Sequence, residues 1–416
     1  MKTINNKYNI NNIDNINNID NIKNAIVYSS ITDYKIFNDR TLNQMTFDIS
    51  SLKPELIFLS CWQWLDTLLN SCNDIQDPIY KQKCIDYGGS YEELKNSVIS
   101  IKTILPSCII LGALPSEILN SVYTYNPKIN TVILYPDTWN MALDPLKWNI
   151  TTITKKQLQC QFAQSQSWYP IIQDCSLYDE STVCCYFPDI TNIQFQELFL
   201  SWAYSQIDAG VDGIWIDMFV NQVAMLYDIT KIPNHPSIID TINSMDYIVD
   251  SIHNYGTYIG RQIYVGTWAN ISMLTTPTNI DFITLSPSAL EVKNMTYDEV
   301  LWDEGLSNIK TKYPSTKIIA FIDFADNKLT PLGQFSQILT SQQQSDFVKI
   351  SKTFFDSKNI IFAYPVHGGW MGNDATILSF GTRYEYDSKA PEFDTYNTIM
   401  DLINECILPT CSFTIN

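Results

Sequence analysis

Carboxylates are rare inside apolar runs, so the stretch GVDGIWIDMF over 210–219 poses a chemical question. Asp212 near its start suits a turn, but Asp217 ends a run that should be a buried strand, where an unpaired carboxylate is costly. Other apolar runs also lead into ionisable or aromatic side chains. Glu291 follows in SPSALEV, Asp323 closes KIIAFID with Asp326 just beyond, and Tyr364, His367 and Trp370 lie in AYPVHGGW. Trp268 ends VGTW, while Trp62, Gln63 and Trp64 follow ELIFLSC. Two carboxyl groups ringed by aromatic faces suit cleavage of a glycosidic bond. One protonated carboxyl assists the departing oxygen, and one carboxylate attacks the anomeric carbon or activates water. Aromatic faces stack on the C–H faces of sugar rings, and Asn or Gln side chains bond the hydroxyls.

Chemistry of this kind needs elements that bring distant residues to one place. Eight short runs supply candidate strands: 55–60, 108–114, 131–135, 212–217, 262–268, 281–286, 317–323 and 359–366. They are continuously apolar rather than alternating, as parallel strands buried on both faces are. Segments of helical period separate them. Thr191 with Gln194, and Ser341 with Gln344, read as capping boxes, and Pro236 suits the first turn of a helix that Gly256 would end. Eight such strands alternating with helices predict an α/β fold of the (β/α)8 barrel type, one main domain over 25–416 with a long inserted loop around 138–188. In barrels, residues at strand C-termini converge on one mouth, which places Asp217, Glu291 and Asp323 as catalytic candidates. Trp62, Trp64, Trp268, Tyr364, His367 and Trp370 become candidates for substrate binding at the same mouth. A buried aspartate paired only for structure is the competing reading of Asp217, and packing is the competing reading of each rim aromatic.

Composition narrows the partners. The chain has 416 residues, 17% charged and 45% hydrophobic, with a net charge of −18. Such a field repels phosphate backbones and anionic lipid, so nucleic acid and membrane surfaces are disfavoured and a neutral polar carbohydrate is favoured. Three histidines with no HxH pair do not suit a metal-dependent amidohydrolase barrel, and no GxSxG elbow, phosphate loop or GxGxxG fingerprint is present. No cofactor or metal is expected.

The first 24 residues stand apart, with ten Asn and with isoleucines at 10, 13, 16, 19 and 22 in a duplicated NINNID unit. The pattern reads as a low-complexity segment that adds little to stability. No run is long enough to span a membrane and no signal-peptide core precedes the domain. Ten cysteines show neither CxxC nor zinc spacing. Cys61 and Cys108 read as buried thiols, whereas Cys72, Cys84, Cys160, Cys175, Cys184 and Cys185 fall in loop-like stretches where disulfides are compatible with an oxidising compartment. The sequons at Asn149, Asn270 and Asn294 favour an extracellular or cell- or virus-surface setting over a cytoplasmic one. They also suit an alternative in which the barrel binds carbohydrate, or builds a surface, without turnover.

The segment PDITNIQFQELFLSWAYSQIDAGVDGIWIDMF, 188–219, with its GxDGxxxD strand end, resembles the corresponding region of glycoside-hydrolase-like barrels, in particular the endo-α-1,4-polygalactosaminidase group and its archaeal relatives. The resemblance implies that Asp217 acts in catalysis as nucleophile or charge stabiliser. It implies a later glutamate, Glu291, as general acid/base. Asp323, from its place at a strand end, stands as the reserve acid. The chain departs from that group in the longer gap between the two carboxylates and in the cysteine-containing loop at 138–188.

Overall fold

The computed structural model describes residues 18–35, 40–62, 68–74, 78, 81–82, 90–121, 124–166, 174–181, 183–274 and 276–405. Eight strands form a closed parallel barrel: β1 (Ala25–Tyr28), β2 (Leu56–Phe58), β3 (Ile109–Pro115), β4 (Gly213–Asp217), β5 (Tyr264–Trp268), β6 (Phe282–Leu285), β7 (Lys317–Ala320) and β8 (Ile361–Trp370). The ring shuts where β8 pairs with β1, Ala363 opposite Ala25. Side chains alternate across the wall, as period-two strands require. Ala25, Val27, Leu56, Phe58, Leu111, Trp215, Tyr264, Phe282, Ile319 and Ala363 fill the interior. Ile26, Ile57, Ile110, Ile214, Val265, Ile283 and Phe362 face the surrounding helices instead. Both faces are therefore buried, which explains the unbroken apolar runs.

The strand count expected from the sequence is right, but one member is wrong. The run at 131–135 is not in the barrel. Its residues Thr131–Ile133 pair antiparallel with Thr124–Asn126 in a surface hairpin, and Val132 is 42% exposed. The missing strand is AIVY at 25–28, four residues that abut the Asn-rich segment. Two errors cancel, so Asp217 still ends the fourth strand.

Helix signals are displaced by a residue or two. Asn192, not Thr191, caps α4 (Ile193–Asp208), and Thr340 with Gln343, not Ser341 with Gln344, forms the capping box of α9 (Ser341–Ser357). Pro236 opens α6 (Pro236–Tyr258) as expected, but Gly256 lies inside that helix. There a Cβ would meet the Arg261 carbonyl at 2.8 Å, so the glycine allows close packing rather than a stop.

The GxDGxxxD motif divides into a structural and a site half. Asp212 sits at the lower end of β4, where it accepts from Lys102 Nζ at 2.6 Å, from Arg261 Nη2 at 3.2 Å and from the Ile110 amide at 2.9 Å. It thereby ties β3, β4, α2 (Tyr91–Ile104) and the chain after α6 together. Gly213 is required by crowding, since a Cβ there would lie 2.5 Å from the Tyr264 carbonyl.

We propose residues 1–24 as a separate low-complexity segment, although its last turn joins the barrel. A 3-10 turn at Ile19–Asn21 brings Ile19 and Ile22, each 3% exposed, into the interior cluster beside Tyr264 at the lower end. Between β3 and β4 the insertion builds small cores of its own. Ile118, Leu143, Leu158, Phe162, Cys185 and Phe187 form one, and Cys160, Tyr178, Val183 and Tyr186 belong to a second. A disulfide joins Cys160, on α3 (Lys155–Ser165), to Cys175, and Cys72 is also disulfide-bonded. Cys61 and Cys108 are buried free thiols. No helix among the described residues is long and apolar enough to cross a membrane.

Candidate active site

Asp217 ends β4 on the inward-facing register shared with Gly213 and Trp215, so its carboxylate enters the mouth of the barrel. It is 6% exposed. Oδ1 accepts the Trp268 indole N–H at 2.6 Å, and the Asp217 carbonyl accepts from the Ser116 amide and hydroxyl at 3.1 and 2.8 Å. Met218, directly after it, holds a left-handed φ of 52°, a conformation that non-glycine residues adopt at a cost and that turns the chain sharply off the strand.

Two further carboxylates act on Asp217 electrostatically, one after the adjacent strand β3 and one after β7 across the mouth. Glu117 lies two residues beyond β3 and Asp323 three beyond β7. Burial first, then the charges of Glu117 and Asp323, raise the Asp217 carboxyl well above its usual range, against the opposing bonds from Trp268 and the Met218 amide. Asp323 is raised to about 7, chiefly by burial; the Phe324 amide opposes this and Asp326 adds to it. Glu117 is also raised by burial, with the Asn221 amide bonding its Oε2 in opposition and Asp326 adding. Like charges in an enclosed site do not all ionise together, so the charges of Glu117 and Asp323 favour the protonated form of Asp217 beyond the effect of burial.

Aromatic rings line the wall beneath and beside these groups. Trp215 points inward and donates from Nε1 to Thr284 Oγ1 at 3.0 Å. Trp268 meets it edge-on at 5.3 Å and stacks on Phe321 at 5.2 Å, while Trp62 lies 5.8 Å from Trp215 and 6.5 Å from Phe324. Trp62 and Trp268 retain partial exposure, so they offer surface to a ligand above the packed Trp215. Among the described residues, no group of three or more His, Cys, Asp or Glu is placed to hold a metal ion.

Several residues singled out in the sequence lie elsewhere. Glu291 is the N3 residue of α7 (Ala289–Asn294) and completes a capping box with Ser288. Its Oε2 accepts from the Ser288 amide and hydroxyl at 2.8 and 2.9 Å, and its Oε1 from the Asp298 amide and Trp302 Nε1 at 3.0 and 2.8 Å. Both oxygens are thus occupied in holding a helix start. Tyr364 is fully buried in the layer between barrel and helices, 5.3 Å from Phe362, and does not face the mouth. His367 is 2% exposed, with Nδ1 2.9 Å from Asp387 and Nε2 3.3 Å from Asp33, so it belongs to an ionic cluster at the β1–β8 seam. Trp370, 38% exposed, stacks on Tyr384 at 5.1 Å on the rim and remains available to a ligand. Trp64 lies outside the described residues.

Glu117 and Trp215 are the functional candidates that sequence reading passed over. Glu117 had a signal, since it follows the apolar run 108–114 by three residues, at the end of a strand like the other candidates. Trp215 was hidden because it sits inside GIWID, where an aromatic reads as ordinary core.

No protein-family model matches the chain, and no curated protein sequence matches it. Solved structures do resemble it in fold. The cyclomaltodextrin glucanotransferase CldA, described as having a three-domain ABC distribution, superposes with a TM-score of 0.50 at 12% identity, over 93% of this chain and 80% of that one. The gamma-CGTase from alkalophilic Bacillus clarkii gives 0.50 at 10% identity, over 92% of this chain and 56% of that one. At such identity the likeness concerns the barrel fold.

Proposed function

We propose that the chain is a glycoside hydrolase acting on a neutral or amino-sugar polysaccharide. One observation supports it above others: the buried Asp217 carboxyl at the end of β4 feels the charges of Glu117, beyond β3, and Asp323, beyond β7, at a mouth lined by Trp62 and Trp268. In this reading Asp217 is the nucleophile or charge stabiliser, oriented by the Trp268 indole. Asp323 carries the proton given to the leaving oxygen, the role for which an elevated pKa is needed near neutral pH. Glu117, whose charge acts on Asp217, replaces Glu291 as the second acidic candidate.

The fold relatives are named for cyclomaltodextrin chemistry, and the 188–219 segment resembles the polygalactosaminidase group, so α-1,4-linked glucans and α-1,4-linked galactosaminans head the screen. The decisive experiment pairs a polysaccharide with an activated aryl glycoside of the same sugar. Asp217→Asn should lose several orders of magnitude on both, as removal of a principal catalytic group does. Asp323→Asn should lose turnover of the polysaccharide but keep much of it on the aryl glycoside, whose leaving group needs no proton. Equal losses on both would remove Asp323 as the acid. Retained turnover by Asp217→Asn would remove the proposed site, and binding without turnover by the wild type would favour a carbohydrate-binding barrel.

A further inference from the structure

The insertion between β3 and β4 contains adjacent cysteines, Cys184 and Cys185, whose sulfurs lie 2.6 Å apart. That is inside any non-bonded contact of two sulfurs and about half an ångström from the ~2.05 Å of a formed bond. Both are free thiols in this structure. Their surroundings fix them in place. Cys185 is fully buried among Ile118, Leu143, Leu158, Phe162 and Phe187, whereas Cys184 is only partly covered. Cys185 pairs with Asn120 in a short antiparallel ladder, and the Ser121 amide donates to the Cys184 carbonyl at 3.2 Å. The ladder partner begins at Leu119, two residues after Glu117.

We propose that Cys184 and Cys185 form a reversible redox site, closing to a vicinal disulfide with a small-molecule disulfide as oxidant. The partly exposed Cys184 thiolate attacks one sulfur of the small disulfide and expels a thiolate, forming a mixed disulfide. Cys185, already in contact, then attacks the Cys184 sulfur through its own thiolate and releases the second small thiol. Two thiols of the protein lose two protons and two electrons, and the small disulfide gains both as two thiols. Burial makes Cys185 unreactive toward solvent, so the order of attack is set by exposure. Reduction by a dithiol reverses the process. The open pair should chelate a monosubstituted trivalent arsenical, with each thiol proton leaving in the water that carries off the arsenical's oxygen. Cys185 lies on the strand that pairs with Leu119–Asn120, just after Glu117.

Peptide mapping tests this on the full chain. Protein treated with oxidised glutathione is denatured in an alkylating agent, digested without reduction and weighed. The peptide containing both cysteines should carry no alkyl group and lack two hydrogens, and prior reduction should restore both alkylations. Phenylarsine oxide should bind the reduced protein and protect both cysteines from alkylation. Cys184→Ser should abolish that protection, whereas Cys108→Ser, distant in the barrel wall, should not. Alkylation of both cysteines after the oxidant, a stable glutathione adduct on Cys184, or a bridge from either to a third cysteine would overturn the proposal.

Discussion

At the scale of single residues, a site of this kind works against the stability of its own fold. A carboxyl whose folded pKa is raised binds more protons folded than unfolded between its two pKa values, so stability falls as pH rises across that interval. For Asp323 the interval runs from its ordinary value of 3.8 up to about 7. Asp323→Asn should therefore melt higher than the wild type at pH 8, and the gain should vanish below about pH 4, where the carboxyl is protonated in both states. Thermal melts across pH check this, and a lower melting point at pH 8 would mean that Asp323 is held by a charge partner instead. Glu291 predicts the reverse. It caps a helix through four hydrogen bonds, so Glu291→Gln, which keeps the shape but weakens charge-assisted bonds, should lower stability by about 1 kcal/mol while polysaccharide turnover stays near the wild-type value. Urea denaturation beside a turnover assay separates the two outcomes.

At the scale of elements, the barrel was legible because strands buried on both faces leave continuous apolar runs, and because the mouth follows once strand ends are known. That logic singles out Asp217, Asp323, Trp62 and Trp268, whose roles are part of the proposed function. Its failures have physical causes. AIVY is only four residues long, too short for periodicity to register, while TVILY has strand-forming residues that a hairpin uses equally well. Glu291 was misplaced because a residue that follows a strand by several positions can serve the next helix as readily as the mouth, and only the capping geometry decides. The Asn-rich segment misled differently, since its composition hides two isoleucines with a specific place. Ile22 seals the lower end of the barrel at 3% exposure, so Ile22→Ala should cost about 2–5 kcal/mol, the range for truncating a buried isoleucine. Equilibrium unfolding in urea measures the loss. An unchanged midpoint would show that the Ile19–Asn21 turn leaves the barrel in solution.

At the scale of the whole molecule, the barrel closes where the first strand meets the last, and that seam carries the most concentrated buried charge in the described chain outside the mouth. Tyr28 pairs with His367 across it, and Gly368 follows where a Cβ would lie 1.6 Å from the Ser29 carbonyl, so the two strands approach more closely than a side chain permits. His367 stands between Asp33 and Asp387, while Arg40 pairs with Asp387 and donates to the Tyr28 hydroxyl at 3.3 Å. Burial alone would lower the His367 pKa, but the two carboxylates outweigh it and raise it. Burial alone would raise Asp387, but His367 and Arg40 hold it below its usual range. The contribution of His367 is complete below its unfolded value and is lost as pH rises through its elevated folded value. That of Asp387 is complete above its unfolded value and is lost as pH falls through its depressed one. The seam is therefore strongest in the window between the two. Asp387→Asn removes the carboxylate that Arg40 and His367 share, leaving His367 with Asp33 alone, and should cost about 3–5 kcal/mol within that window, the usual range for breaking a buried pair. The difference from the wild type should shrink on both sides, in acid as Asp387 protonates and in base as His367 loses its proton. Urea unfolding of the two proteins across pH measures it, and a difference independent of pH would mean that Asp387 acts through hydrogen bonding to the Lys389 amide rather than through charge.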